Sequence, residues 1–286
     1  MKTFLPGVPA LTLVAGLWLG SVPTLAAELP KPGSAAAGSA VAGAASLPGT
    51  ARLSAPALLE HARQAAGLPT AGLTLLHERV QTSEEGRGPA YLSDIWTDLA
   101  GQRLKITDYT GDVLDSVHLL TPVGNCLYTP QHGTVPVPPQ RAEVLRWNLR
   151  SGVAGLGAAS QPGTRLSAAG VQTWLADGPQ PLRGNVLEVS WPDGATWQYL
   201  LDPQTGQLLA DRSANEDLDM LTFTYSHPRA ATGVKVPGAA APQALEERTL
   251  WLGSEVLYRE QVLTRELNPV SVPHTFELPS SQEKRP

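Results

Sequence analysis

The stretch that decides the fold is Tyr91–Thr121, which reads YLSDIWTDL, AG, QRLKITDY, TGD, VLDSVHLLT. In Gln102–Tyr109, Leu104 and Ile106 point one way while Arg103, Lys105 and Thr107 point the other. A period of two is the signature of a strand with one wet face. Ala100-Gly101 and Thr110-Gly111-Asp112 are hairpin turns on either side of it. In the third segment Val113, Val117 and Leu119 are expected to share a face, with Asp115 as the exception. Three strands joined by turns alone make a β-meander.

The pattern spreads outward from there. Leu73–Gln81 reads as a first strand, followed by a polar loop at Glu84–Pro89, and Asn125–Thr129 reads as a further short strand. Downstream, Ala168–Leu175, Val186–Trp191, Thr196–Leu201 and Leu208–Asp211 are strand segments. Trp191-Pro192-Asp193-Gly194 and Asp202-Pro203-Gln204-Thr205-Gly206 are tight turns between them, with Pro and Gly where turns need them. Leu221, Phe223 and Tyr225 alternate with Thr222 and Thr224. After a proline-bearing connection at Ser226–Gln243, Thr249–Leu263 gives a long strand or strand pair, and Val270–Leu278 is expected to be extended.

Two segments break the β rhythm. Ser54 is placed to cap a short helix in which Pro56 is tolerated in the first turn, and Leu58, Leu59, Ala62 and Ala65 share a face. Gly67 and Pro69 stop it. Gln140–Ser151 places Ala142, Leu145, Arg146 and Leu149 at helical spacing. The Gly/Ala-rich run Gly152–Gly163 reads as a loop. The fold class is therefore mainly β, with a few helices.

At the N-terminus, residues 1–26 form a secretory signal peptide. Lys2 gives the positive start, Val8–Gly20 the apolar run, and Thr24-Leu25-Ala26 the small residues before cleavage. Residues 27–50, rich in Ala, Gly, Ser and Pro, form a flexible tether, and residues 51–286 a single folded domain. No later apolar run has membrane-spanning length, so the mature chain is expected to lack a transmembrane segment and to be periplasmic or secreted. The net charge of -5 leaves no basic footprint for nucleic acid.

Chemical motifs are sparse. Cys126 is the one cysteine, which excludes an intramolecular disulfide, and its setting in Asn125-Cys126-Leu127-Tyr128 reads as a buried strand position. None of the six histidines has metal-ligand spacing to another. Asn215–Asp219 is the densest acidic cluster, but it lacks the glycine and distal glutamate of a calcium loop and reads as solvated. No Gly-x-Ser-x-Gly elbow and no phosphate-binding glycine loop is present, so no metal and no cofactor is implied. The aromatic residues carry more. Trp197, Tyr199 and Leu201 share one strand face, as do Leu221, Phe223 and Tyr225. Such walls fill a twisted core, or line an apolar cavity suited to acyl chains.

Tyr91–Tyr128 resembles the LolA-like superfamily, which includes periplasmic lipoprotein carriers and RseB/MucB-type regulators. The resemblance lies in Ser93-Asp94-Ile95-Trp96, Arg103-Leu104-Lys105-Ile106 and Gly124-Asn125-Cys126-Leu127-Tyr128, with Trp197–Gly206 as a similar strand–turn–strand element. It implies an unclosed antiparallel β-barrel, or strongly curved sheet, with covering helices. It implies a non-catalytic protein whose cavity holds a lipid, an acyl chain or a lipidated polypeptide. The cavity lining is expected from Trp96, Leu104, Ile106, Leu119, Tyr128, Trp197, Tyr199, Leu201, Phe223 and Tyr225. Pro56–Ala66 and Arg141–Arg150 are expected to act as a movable lid. The competing readings are a sensor that binds a membrane anti-sigma factor, a secreted β-rich hydrolase with a dispersed site, and an envelope assembly factor.

Overall fold

The computed structural model describes residues 53–84, 87–175, 181–214, 221–226, 245–270 and 274–279, all within the unit Leu53–Pro286. The segments read as a signal peptide and a tether, the acidic cluster Asn215–Asp219 and the connection after Ser226 lie outside the described residues.

The first meander is β1 (Leu75–Glu84), β2 (Arg87–Asp98), β3 (Arg103–Thr110), β4 (Val113–Thr121), β5 (Gly124–Thr129) and β6 (Gly133–Pro136). The second is β7 (Arg165–Trp174), β8 (Leu182–Ser190), β9 (Thr196–Leu201), β10 (Leu208–Ser213), β11 (Leu221–Ser226), β12 (Glu246–Leu252) and β13 (Glu255–Leu267). All join one antiparallel sheet in the order β6-β5-β4-β3-β2-β1-β13-β12-β11-β10-β9-β8-β7. The sheet is not closed. Its centre is the pairing of β1 with β13, and its free edges are β6 and β7. Those two edges are consecutive strands, and the chain between them is helical.

That crossover contains α2 (Pro139–Arg146), a 3-10 turn (Trp147–Leu149) and α3 (Gly152–Ala158). The preceding helix α1 (Ala55–Ala65) starts at Ser54, whose hydroxyl accepts from the Ala57 amide at 3.4 Å. It ends where Gly67 takes a φ of 67°. Leu58, Leu59 and Ala62 of α1 pack with Val153, Ala154 and Leu156 of α3 against Leu187, Val189, Trp197, Tyr199 and Leu201. Ala65, expected on that face, is exposed, and Arg63 is buried in its place. The Arg63 guanidinium is satisfied there by Ser160 Oγ at 2.6 Å.

Several local expectations are corrected. Gly152–Gly163 is not all loop, since its first half is α3. Three of its seven residues are glycine, which disfavours helix, and the segment is nonetheless helical with every one of its residues buried. Most of the polar loop expected at Glu84–Pro89 is strand, because β1 runs to Glu84 and β2 begins at Arg87. Val113 does not share a face with Val117 and Leu119. A register shift between Asp108 and Tyr109 leaves Asp115 bulged, which reverses the alternation and exposes Val113. Residues 274–277 form a turn, with His274 at a φ of 72°, rather than an extended segment. Cys126 is half-buried rather than buried, and burial pushes its thiol up.

Candidate functional site

A pocket of about 520 Å³ lies where the helical crossover meets three hairpin tips. Leu99 and Gln102 come from the β2–β3 turn, Leu120–Pro122 from the end of β4, and Trp191–Asp193 from the β8–β9 turn. Leu149, Arg150 and Ala158 line it from the crossover. The volume falls in the ~300–1,000 Å³ range of small-ligand sites. Its apolar surface is built from leucine, proline and tryptophan.

The crossover is pinned to the sheet by two buried polar links. The Tyr199 hydroxyl donates to the Arg150 carbonyl at 2.5 Å. The Gly152 amide donates to Asp211 Oδ2 at 2.5 Å, and the Tyr225 hydroxyl donates to the same oxygen at 2.8 Å. Burial pushes the Asp211 carboxyl up to about 7, against the pull of those two hydrogen bonds. Gly152 sits at a φ of 57°, and a Cβ there would lie 3.2 Å from the Tyr225 hydroxyl. Glycine is therefore required at this corner.

Arg146 and Arg150 edge the pocket. Arg146 pairs with Glu143 at 2.8 Å. Arg150 reaches Glu143 at 3.4 Å and pairs with Asp193 across the mouth.

The ten residues expected to line one cavity divide between two faces of the sheet. Leu104, Ile106, Trp197, Tyr199, Leu201, Phe223 and Tyr225 lie on the face that bears the helices. Trp96, Leu119 and Tyr128 lie on the opposite face, because Trp96 and Leu119 stand across from Lys105, and Tyr128 from Val117. There Trp96 stacks on His77 with ring centroids 4.1 Å apart. None of the ten lines the pocket described above. Trp197, Tyr199, Leu201 and Tyr225 are core, packed under α1 and α3.

The helix-bearing face is not uniformly apolar. At its centre Arg248 contacts Glu78 at 2.6 Å and Glu246 at 2.7 Å, and Arg265 contacts the same two acids at 2.7 and 2.9 Å. Burial raises Glu78, but the two guanidinium groups outweigh it and hold the carboxyl below its usual range. The same opposition leaves Glu246 at about 2. Glu260 lies further out, 3.9 Å from Arg248, and there burial wins and pushes it up to about 7.

A second buried group surrounds Asp108, which accepts from Ser93 Oγ at 2.7 Å and Ser116 Oγ at 2.8 Å. His118 Nε2 lies 3.8 Å from the same carboxylate. Burial pushes Asp108 up to about 6 and His118 down to about 3, so His118 is neutral and the contact is no ion pair at neutral pH. These are the residue types of a nucleophilic triad in the wrong order. Both serine protons go to the carboxylate, which leaves no serine activated by the imidazole. Among the described residues no group of acids, histidines and cysteines is arranged to hold a metal ion, and no helix is long and apolar enough to cross a membrane.

The pocket was beyond sequence reasoning because its walls are turns. The signals were present only as punctuation: Leu120-Thr121-Pro122, Gln161-Pro162 and Trp191-Pro192-Asp193.

The sequence matches no family model and no curated protein. Among solved structures, the chain is similar to a LolA superfamily protein from Nitrosomonas europaea, at 9% identity and a TM-score of 0.45, over 77% of this chain and 96% of that one. It is similar to a DUF1329 family protein from Desulfovibrio piger, at 9% identity and a TM-score of 0.46, over 78% and 97%. It is also similar to the Pseudomonas aeruginosa MucA/MucB complex structure, at 12% identity and a TM-score of 0.27, over 79% of this chain and 61% of that one. Each likeness is one of fold.

Proposed function

We propose that this chain is an exported, non-catalytic binding protein that holds the acyl chain of a lipid or of a lipidated polypeptide. One observation carries the reading, the pocket between the hairpin tips and the helical crossover. Leu99, Leu120, Leu149, Pro122, Pro162 and Pro192 give it apolar surface, beside the polar Gln102, Thr121 and Gln161 and the charged Arg146, Arg150 and Asp193. An acyl chain needs that kind of surface, since its transfer from water is driven by area rather than by directed contacts. The lining comes from turns and a short crossover, so small movements of a few segments can widen the site. The unclosed sheet supports the same reading, because a small closed barrel would be filled by its own side chains.

The test is competition between a fluorescent fatty acid and unlabelled acyl ligands on the mature protein, with Trp191 as an intrinsic reporter. Thr121→Trp, on the β4 rim of the pocket, fills the site from a half-buried position. It is expected to weaken acyl binding about tenfold with an unchanged unfolding midpoint. Pro162→Trp fills it from an exposed position after the crossover helix. Acyl binding that is undiminished in both folded variants would place the ligand elsewhere. A protein that binds no acyl ligand yet captures a membrane protein would replace the carrier reading with a regulatory one.

A further inference from the structure

Arg150 lines the pocket, its side chain 10% exposed, and its two acidic partners are not equivalent. Glu143 stands on the same crossover and also serves Arg146. Asp193 comes from the opposite wall, at the tip of the β8–β9 hairpin, and its side chain is 56% exposed. That tip is a tight turn, closed by the Trp191 amide on the Ala195 carbonyl at 2.8 Å and the Gly194 amide on the Trp191 carbonyl at 3.0 Å.

A buried guanidinium requires an anionic partner, because an unpaired charge away from water is costly. The requirement is for oxyanion oxygens, which a ligand carboxylate or phosphate presents as well as aspartate does. Asp193, being mostly exposed, can turn outward into water once it is replaced. Glu143 keeps its place on the helix and continues to anchor Arg150 from behind. We propose that Arg150 recognises the anionic head of the bound amphiphile, and that Asp193 is its internal competitor, seated on the guanidinium while the pocket is empty. The acyl chain then lies along Leu99, Leu120 and Leu149. This inference rests on the acyl-binding reading above and adds the head chemistry.

The experiment compares wild type with Asp193→Asn for three ligands below their aggregation concentrations: palmitate, palmitoyl lysophosphatidate and neutral monopalmitoylglycerol. Loss of the competing charge is expected to tighten both anionic ligands ~fivefold, the scale of one partly exposed ion pair, and to leave the neutral one within about twofold. A response from palmitate alone would restrict the head to a carboxylate, and a response from both would extend it to phosphate. Arg150→Gln, checked by thermal melting, is expected to abolish the preference for anionic over neutral ligands. Equal affinities for all three ligands in wild type and Asp193→Asn, with acyl binding intact, would overturn the role of Arg150 and leave the pocket reading standing. Failure of wild type to bind any of the three would overturn the pocket reading itself.

Discussion

Gly155→Ala separates a helix held by its own propensity from one held by the sheet. In an ordinary helix interior this substitution stabilises by ~0.5–1 kcal/mol, since alanine has less backbone freedom to lose. In α3 the added methyl would stand closer than 3.0 Å to both the Arg150 carbonyl oxygen and the Tyr199 hydroxyl. Neither can withdraw easily. The carbonyl is main chain, and Tyr199 is fully buried and donates to that same carbonyl. Forcing a methyl into packed surroundings costs about 1–3 kcal/mol. Breaking the buried hydrogen bond and leaving its partners unsatisfied costs about 1–3 kcal/mol more. Less than ~1 kcal/mol of helix propensity opposes these terms, so the expected net loss is about 1–5 kcal/mol. Gly157→Ala is the internal comparison. Its methyl would meet Leu73 Cδ2 at 2.8 Å, Leu73 Cβ at 3.0 Å and Leu99 Cδ1 at 3.3 Å, side-chain atoms only, so its effect is expected to be smaller than that of Gly155→Ala. Urea unfolding followed by tryptophan fluorescence reads both as shifts in midpoint at constant slope. A Gly155→Ala protein as stable as wild type, or a Gly157→Ala protein equally damaged, would refute the account of α3.

Stability is expected to depend on pH through the buried carboxyls. Asp211 is raised to about 7 and Asp108 to about 6, so the native state holds protons that the unfolded chain releases. Their contribution is largest below the ordinary aspartate value and is lost as pH rises through the folded values. The span from an ordinary aspartate to about 7 corresponds to ~4 kcal/mol for Asp211. Asp211→Asn should flatten the fall in melting temperature between about pH 4 and pH 7, and an unchanged profile would dissociate the fall from Asp211. Glu246, held at about 2, acts in the opposite sense and loses its contribution as pH drops from ~4 toward 2. Glu78→Ala leaves Arg248 and Arg265 short of a buried partner and is expected to cost about 3–5 kcal/mol in urea unfolding. Glu277→Ala, which removes an exposed contact to His274, should leave the midpoint where it was; equal effects would argue that the buried cluster is solvated.

The meanders were legible because each strand announces itself locally. Leu104 and Ile106 alternate with Arg103, Lys105 and Thr107, and the turns at Gly111 and Gly194 adopt the positive φ that glycine permits. Period two assigns residues of one strand to a face, but it does not relate one strand to the next. Hence Leu104 and Leu119 were expected to share a lining and lie on opposite sides of the sheet. The bulge at Asp115 is a further case, since one inserted residue reverses every assignment beyond it. Helix α3 was hidden for another reason. Its glycines read as loop, and only the proximity of the Arg150 carbonyl and the Tyr199 hydroxyl explains why glycine is needed at position 155.

The pocket joins hairpin tips that strand alternation alone would place at opposite ends of the sheet. Along the meanders, successive hairpins alternate between the two ends of the strands. Because β1 and β13 are antiparallel, this alternation would put the β8–β9 tip at the opposite end of a flat sheet from the β2–β3 and β4–β5 tips. Yet Pro192 and Pro122 line one cavity. The strand order resolves the conflict. From β4 to β9 the sheet passes through β3, β2, β1, β13, β12, β11 and β10, which makes eight neighbour steps. A twist of ~20–25° at each step accumulates to ~160–200°, about half a turn. Twist on that scale turns distant strands strongly against one another, which allows tips that alternation separates to approach. The helical crossover starts at the β6 edge and finishes at the β7 edge, so it must span the gap between the two halves there. A deletion that removed a strand pair between β4 and β9 would preserve the motifs of the remaining strands, yet lower the accumulated twist by about a quarter and pull the hairpin tips apart. The site therefore depends on the number of strands between its walls, a quantity that no single motif in the sequence carries.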